Sequence, residues 1–179
     1  MLELIKESYG FTDYQIAQLK YLFLTIFSEI SKFLIIGLFF LDNIKLYICT
    51  ILLFLILRSN NGGLHCKTYL SCFVVSLSYI FLSIRVLPLI PTFKVLQMLT
   101  LLLCIIITYH IGPIVSSYRP IPTESVCRRQ KNKLFMIIFI FLITLYILPE
   151  NPYTTTGYWV IILNTCQLIL AKLLKKEGH

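Results

Sequence analysis

Charge is what this chain has least of. Asp, Glu, Lys and Arg make up 13% of its 179 residues, where a soluble domain carries about a quarter. Acid is scarcer than base, 8 residues against 16, for a net charge of +8. No Cys-x-x-Cys pair occurs among the six cysteines at 49, 66, 72, 104, 127 and 166, which removes the common redox and zinc motifs. His65, Cys66 and Cys72 lack a fourth ligand at motif spacing, so neither a metal nor a cofactor is expected. Internal repeats are missing too, unlike the duplicated halves of many transporters. The opening MLELIKESYGFTDYQ lacks the basic, apolar, small-residue order of a cleaved signal peptide, so internal helices are expected to direct insertion.

What remains is apolar. Hydrophobic residues make up 58% of the chain and its mean hydropathy is +0.83. One core of this size cannot hide that excess, so lipid must solvate much of the surface. The composition predicts an all-α integral membrane protein, one polytopic domain over residues 1–179. Spanning takes ~20 mostly apolar residues, and runs at 44–57, 68–87, 93–115, 134–149 and 157–174 qualify or nearly so. A sixth, 21–41, is interrupted by Ser28, Glu29, Ser31 and Lys32. Residues 1–20 mix Leu2, Leu4, Ile5, Tyr9 and Phe11 with charges, a pattern suited to an amphipathic helix lying in the interface.

With six transmembrane helices and a cytoplasmic N-terminus, twelve of the 16 basic residues fall on the cytoplasmic side. Lys45, Arg85 and Lys94 fall outside and Lys32 within a span. This asymmetry predicts an N-in, C-in protein of the cell membrane. It also reads the positive charge as membrane topology and contact with anionic lipid headgroups, not nucleic-acid binding. The longest polar stretch, SSYRPIPTESVCRRQKNK at 116–133, carries Arg119, Arg128, Arg129, Lys131 and Lys133 with Glu124 as its one acid. Pro120 and Pro122 prevent a regular helix where they stand. The stretch is a lipid anchor, a docking surface for an acidic peptide, or both.

Reactive chemistry concentrates in one place. Arg58-Ser-Asn-Asn-Gly62-Gly63-Leu-His65-Cys66-Lys-Thr-Tyr-Leu-Ser-Cys72 lies between two apolar runs, on the cytoplasmic side of the expected topology. Gly62-Gly63, reinforced by Asn60-Asn61, marks a turn. Histidine can take a proton from a thiol, and thiolate is the attacking form of cysteine. On one straight helix, however, His65 and Cys72 would stand ~10 Å apart along the axis, beyond the reach of a hydrogen bond. Catalysis therefore requires His65 on a loop folded back over the helix carrying Cys72. Without that, the pair is a packing cysteine and a histidine facing headgroups. Arg58 suits either an anchor for a substrate carboxylate or a snorkelling helix end. Glu29 and Lys32, three apart, are placed to pair, and an intramembrane Glu29 is a candidate third member orienting His65.

The pattern Arg58-x3-Gly62-Gly63-x-His65-x6-Cys72 resembles the signature of the AgrB (accessory gene regulator B) peptidase family. Gly112-Pro113, then Arg119-Pro120 and a basic run, agrees in layout, although that family typically has alanine and lysine where Gly112 and Arg119 stand. The resemblance implies a bacterial membrane cysteine endopeptidase, with its active site near the cytoplasmic face, that acts as a homodimer on an AgrD-like quorum-sensing propeptide. Cys72 would attack the carbonyl at the C-terminal cleavage point and His65 would carry the proton. The resulting thioester would pass to a substrate side chain, closing a thiolactone or lactone. Arg58, Gly62, Gly63 and the basic residues of 116–133 would support the substrate. The competing reading is a non-enzymatic transporter or export component for a small peptide, and a third is a scaffold in which neither His65 nor Cys72 matters.

Overall fold

Proline and glycine punctuate the chain into helices. The computed structural model describes residues 27–62, 68–114 and 124–177, with side chains to 174. The expected interfacial helix at 1–20 lies outside these residues. Two units are distinguished, Met1–Leu41 and Asp42–His179. In the first, helix α1 covers Phe27–Leu38. The Lys32 ammonium donates to the Glu29 carboxylate at 2.6 Å, as the three-residue spacing predicts.

A 3-10 turn, Leu41–Asn43, falls at the boundary, and the second unit continues as α2 (Ile44–Asn61), α3 (Tyr69–Phe81), α4 (Lys94–Ile111), α5 (Glu124–Ile147) and α6 (Pro152–Glu177). A π-helical turn, Leu82–Val86, and a 3-10 turn, Leu87–Leu89, extend α3 until Pro88 and Pro91 end it. Helix α6 opens on a reciprocal cap: Asn151 Oδ1 accepts from the amides of Tyr153 and Thr154 at 3.0 Å, and the Asn151 amide donates to Thr154 Oγ1 at 3.1 Å. Pro152 takes the first helical position, where no amide hydrogen is needed.

Among the described residues every regular element is helical. Four helices are long and apolar enough to cross a membrane, or five if Phe27–Leu38 and Leu41–Asn61 count together as one span. The expected runs at 44–57, 68–87, 134–149 and 157–174 fall mainly on helices, that at 93–115 does so as far as Ile111, and residues 21–26 of the sixth lie outside the described residues. Residues 124–133 are not loop but the first turns of α5. Nothing after Pro122 breaks a helix, and Arg, Lys and Gln are good helix formers; apolarity alone missed this extension.

Helix α6 is the centre of the bundle and packs against α2 and α4, while α5 packs on α4 and α2. Phe54, Leu57, Ile80, Leu101, Ile138, Tyr158, Val160, Ile161 and Leu168 are buried there. Buried polar groups are largely absorbed locally: Thr50, Thr108 and Thr165 donate their hydroxyls to carbonyls one turn back. Hydrogen bonds between helices include Tyr79 Oη to the Val160 carbonyl, the Thr100 and Tyr158 hydroxyls at 2.9 Å, and Lys94 Nζ to the Tyr146 carbonyl at 3.1 Å. Replacing Tyr79 by phenylalanine is expected to cost about 1 kcal/mol, read as a small fall in the melting temperature of the detergent-solubilised protein. The outer faces carry exposed Leu, Ile, Val and Phe along every helix, as a lipid-solvated bundle requires.

Candidate functional site

Two helices end alike at one end of the bundle. Helix α2 stops at Gly62 (φ 72°, ψ −135°), whose amide donates to the Arg58 carbonyl at 2.9 Å. Helix α4 stops at Gly112 (φ 71°, ψ −179°), whose amide donates to the Thr108 carbonyl at 3.0 Å. Both conformations belong to glycine. The chains leaving them pair as a parallel bridge, Gly62 with Ile114, and the Ile114 amide donates to the Asn61 carbonyl at 3.0 Å. The fold thereby ties the Arg58–Gly62 stretch to the Gly112-Pro113 stretch, two segments that are only separate motifs in the sequence.

Cys72 sits in the first turn of α3. Thr68 is extended (φ −116°, ψ 151°) and caps the helix, its hydroxyl accepting from the Ser71 amide at 3.3 Å. The Cys72 amide donates to the Thr68 carbonyl at 3.2 Å. The helix carrying Cys72 therefore starts at Tyr69. Cys72 is half-buried and in no disulfide. Its Cα–Cβ bond tilts toward the helix start. Gly63, His65 and Cys66 lie outside the described residues.

The hairpin of α2 and α3 has a readable register. Phe54 and Tyr79 meet across it with ring centroids 4.6 Å apart. Arg58, one turn beyond Phe54, lays its guanidinium over the same ring at 5.5 Å. Arg58 is thus held by an aromatic face inside the hairpin, not splayed to the surface.

The basic residues of α5 divide. Arg128, Arg129 and Lys133 are exposed and line an open cleft of about 1050 Å³ with Ser59 and Asn60 from the end of α2 and Glu124 at its rim. Lys131 turns away, its ammonium 5.7 Å from the Tyr109 ring centre and its chain against Gly112. Arg119 lies outside the described residues. Glu29 is engaged by Lys32, and His110 is exposed on the last turn of α4. Of the other thiols, Cys104 is buried, Cys127 half-buried and Cys49 and Cys166 exposed. Sequence reading missed Asn61: taken for a turn former, it is the last residue of α2 and is buried. The heptad spacing from Phe54 is the signal that marks its facing.

Residues 2–170 match the family model described as accessory gene regulator B. A putative AgrB-like protein of Clostridium beijerinckii is 28% identical over 113 residues, covering 62% of this chain and 57% of that relative. The chain thus aligns with little more than half the length of this relative. No solved structure matches.

Proposed function

The chain belongs to the AgrB family, and on that premise we propose that it is a membrane cysteine endopeptidase that cleaves and cyclises an AgrD-like propeptide. The observation that carries this reading is the position of Cys72, half-buried in the first turn of α3 beside the glycine-terminated end of α2. His65 takes the thiol proton as the Cys72 sulfur attacks the carbonyl at the C-terminal cleavage point. The C–N bond then breaks, and the proton passes to the leaving amine. The thioester left on Cys72 is attacked by a cysteine or serine side chain of the substrate, which closes the ring and frees the enzyme thiol. Exchange between thioesters is nearly balanced, whereas direct conversion of an amide to a thiolactone runs uphill. In this reading six spans hold both termini in the cytoplasm and the chemistry is at the inner face, with Gly63 and Arg119 among the residues that support the substrate.

The test is to trap the acyl-enzyme. Acid-quenched mixtures of protein and propeptide are expected to show a mass adduct that hydroxylamine removes and that Cys72→Ala lacks. An adduct on another residue rules the assignment out.

The cleft on α5 suits the acidic C-terminal tail of such a substrate. Its cations are solvated, so each contributes modestly. Arg128→Glu combined with Arg129→Glu is expected to raise KM about tenfold, leave kcat nearly unchanged and flatten the salt dependence of kcat/KM. An unchanged KM would remove the cleft from substrate binding.

A further inference from the structure

Asn61 is 2% exposed, and among the described residues neither its side-chain nitrogen nor its side-chain oxygen has a hydrogen-bond partner. Its backbone carbonyl is occupied by the Ile114 amide; only the side chain is idle. Burying an unpaired amide costs free energy without structural return. Such a group calls for a ligand.

The hairpin register shows where the amide stands. From the Phe54–Tyr79 contact, seven residues forward along α2 is Asn61, and seven back along α3 is Cys72. Seven residues are close to two turns, about 10 Å of axis. Each step returns to the same face of its helix, and in an antiparallel pair both steps run toward the same end. Asn61 and Cys72 therefore stand at one level on facing stripes. Ser76, one turn deeper on the Cys72 face, is also buried with an unpartnered hydroxyl. Two buried polar side chains without hydrogen-bond partners thus fall at or within one turn of the level of Cys72.

We propose that the Asn61 side-chain amide donates to the oxygen of the substrate carbonyl that Cys72 attacks. The inference rests on Cys72 as nucleophile. When the Cys72 sulfur bonds to the carbonyl carbon, the C=O π pair moves onto oxygen. The Asn61 N–H holds that oxyanion. As the intermediate collapses, the pair returns to re-form C=O, the C–N bond breaks, and the amine leaves with the proton taken from the thiol. A donor fixed in place beforehand acts most strongly on charge that develops only in the transition state.

The experiment compares wild type, Asn61→Ala, Asn61→Leu and Cys72→Ala in detergent micelles with a synthetic AgrD-type propeptide that the wild type cleaves. Acyl-enzyme formation is expected to slow by about 10²–10³-fold in both Asn61 variants. Alkylation of Cys72 by iodoacetamide, which forms no oxyanion, is expected to stay within twofold, and melting temperatures to hold or rise because an unpaired polar group is gone. Thr156→Val, which removes a buried unpartnered hydroxyl from the first turns of α6 beside Gly157 and Leu53, is the control and should cleave normally. Cleavage by Asn61→Ala within threefold of wild type overturns the inference, as does a parallel loss of alkylation. If neither Asn61 variant folds, the side chain is structural and the inference is likewise overturned. Cleavage by Cys72→Ala instead removes the nucleophile itself, and with it any oxyanion at this position.

Discussion

Cys72→Ala is expected to abolish propeptide processing, by roughly 10³-fold or more, while the protein still extracts and melts as a folded bundle. Cys72 is half-buried and its amide bond to Thr68 survives the change, so the variant loses a nucleophile and little packing. His65→Ala is expected to match it, because the two residues act on one proton and their losses do not add. Cys66→Ala is expected to process normally, since its thiol is not assigned to the reaction. Coexpression with the propeptide and mass spectrometry of the products read all three. Processing by Cys72→Ala at the wild-type rate would end the thiol mechanism and leave transport or scaffolding as the function.

Gly62→Ala is expected to be the most damaging substitution outside the chemistry. A Cβ there would lie 2.0 Å from the Ile114 carbonyl oxygen and 3.1 Å from its carbon. Both are main chain and cannot swing aside. The backbone also has φ 72°, which costs an L-residue about 1–2 kcal/mol before any clash. Relief requires parting the two chain segments and breaking the Ile114–Asn61 hydrogen bond. The sum is about 3–4 kcal/mol, a fall in melting temperature on the order of 10 °C. Gly112→Ala has the same backbone strain, but its Cβ would meet the Lys131 chain at 2.5 Å, a flexible neighbour free to move. About 1–2 kcal/mol is expected there. If the Gly112 variant proves the weaker of the two, the bridge at Gly62 does not hold this end together.

Much of this architecture is legible in order along the chain. Apolar runs located the helices because lipid imposes the same requirement on every turn, but the ends differed: α2 runs on from 57 to Asn61 and α4 stops at Ile111, before the expected 115, each at a positive-φ glycine. The α5 start was hidden, since a criterion built on apolarity ends at Leu134 while backbone hydrogen bonding continues to Glu124. Asn61 was hidden for another reason. Two asparagines before two glycines read as a turn locally, and only the pairing of α2 with α3 shows one of them to be buried helix. The division of the basic run was also invisible: Lys131 parts from Arg128, Arg129 and Lys133 because Tyr109 and Gly112 stand beside it.

Helix α5 carries its charges and its apolar section on one continuous rod. From Leu134 to Ile147 that section is about 21 Å long at 1.5 Å per residue, well short of a hydrocarbon layer of ~30 Å. Only Leu134, Ile138 and Leu145 are buried along it, so neighbouring helices shield little of the rod from lipid. Hydrophobic mismatch then sets the height of the cationic cleft: the bilayer thins around α5, or the guanidinium groups are drawn down to the phosphate plane. If the cleft receives the propeptide as proposed, acyl-chain length becomes a control on how it is reached, acting through a helix that holds none of the proposed reacting atoms.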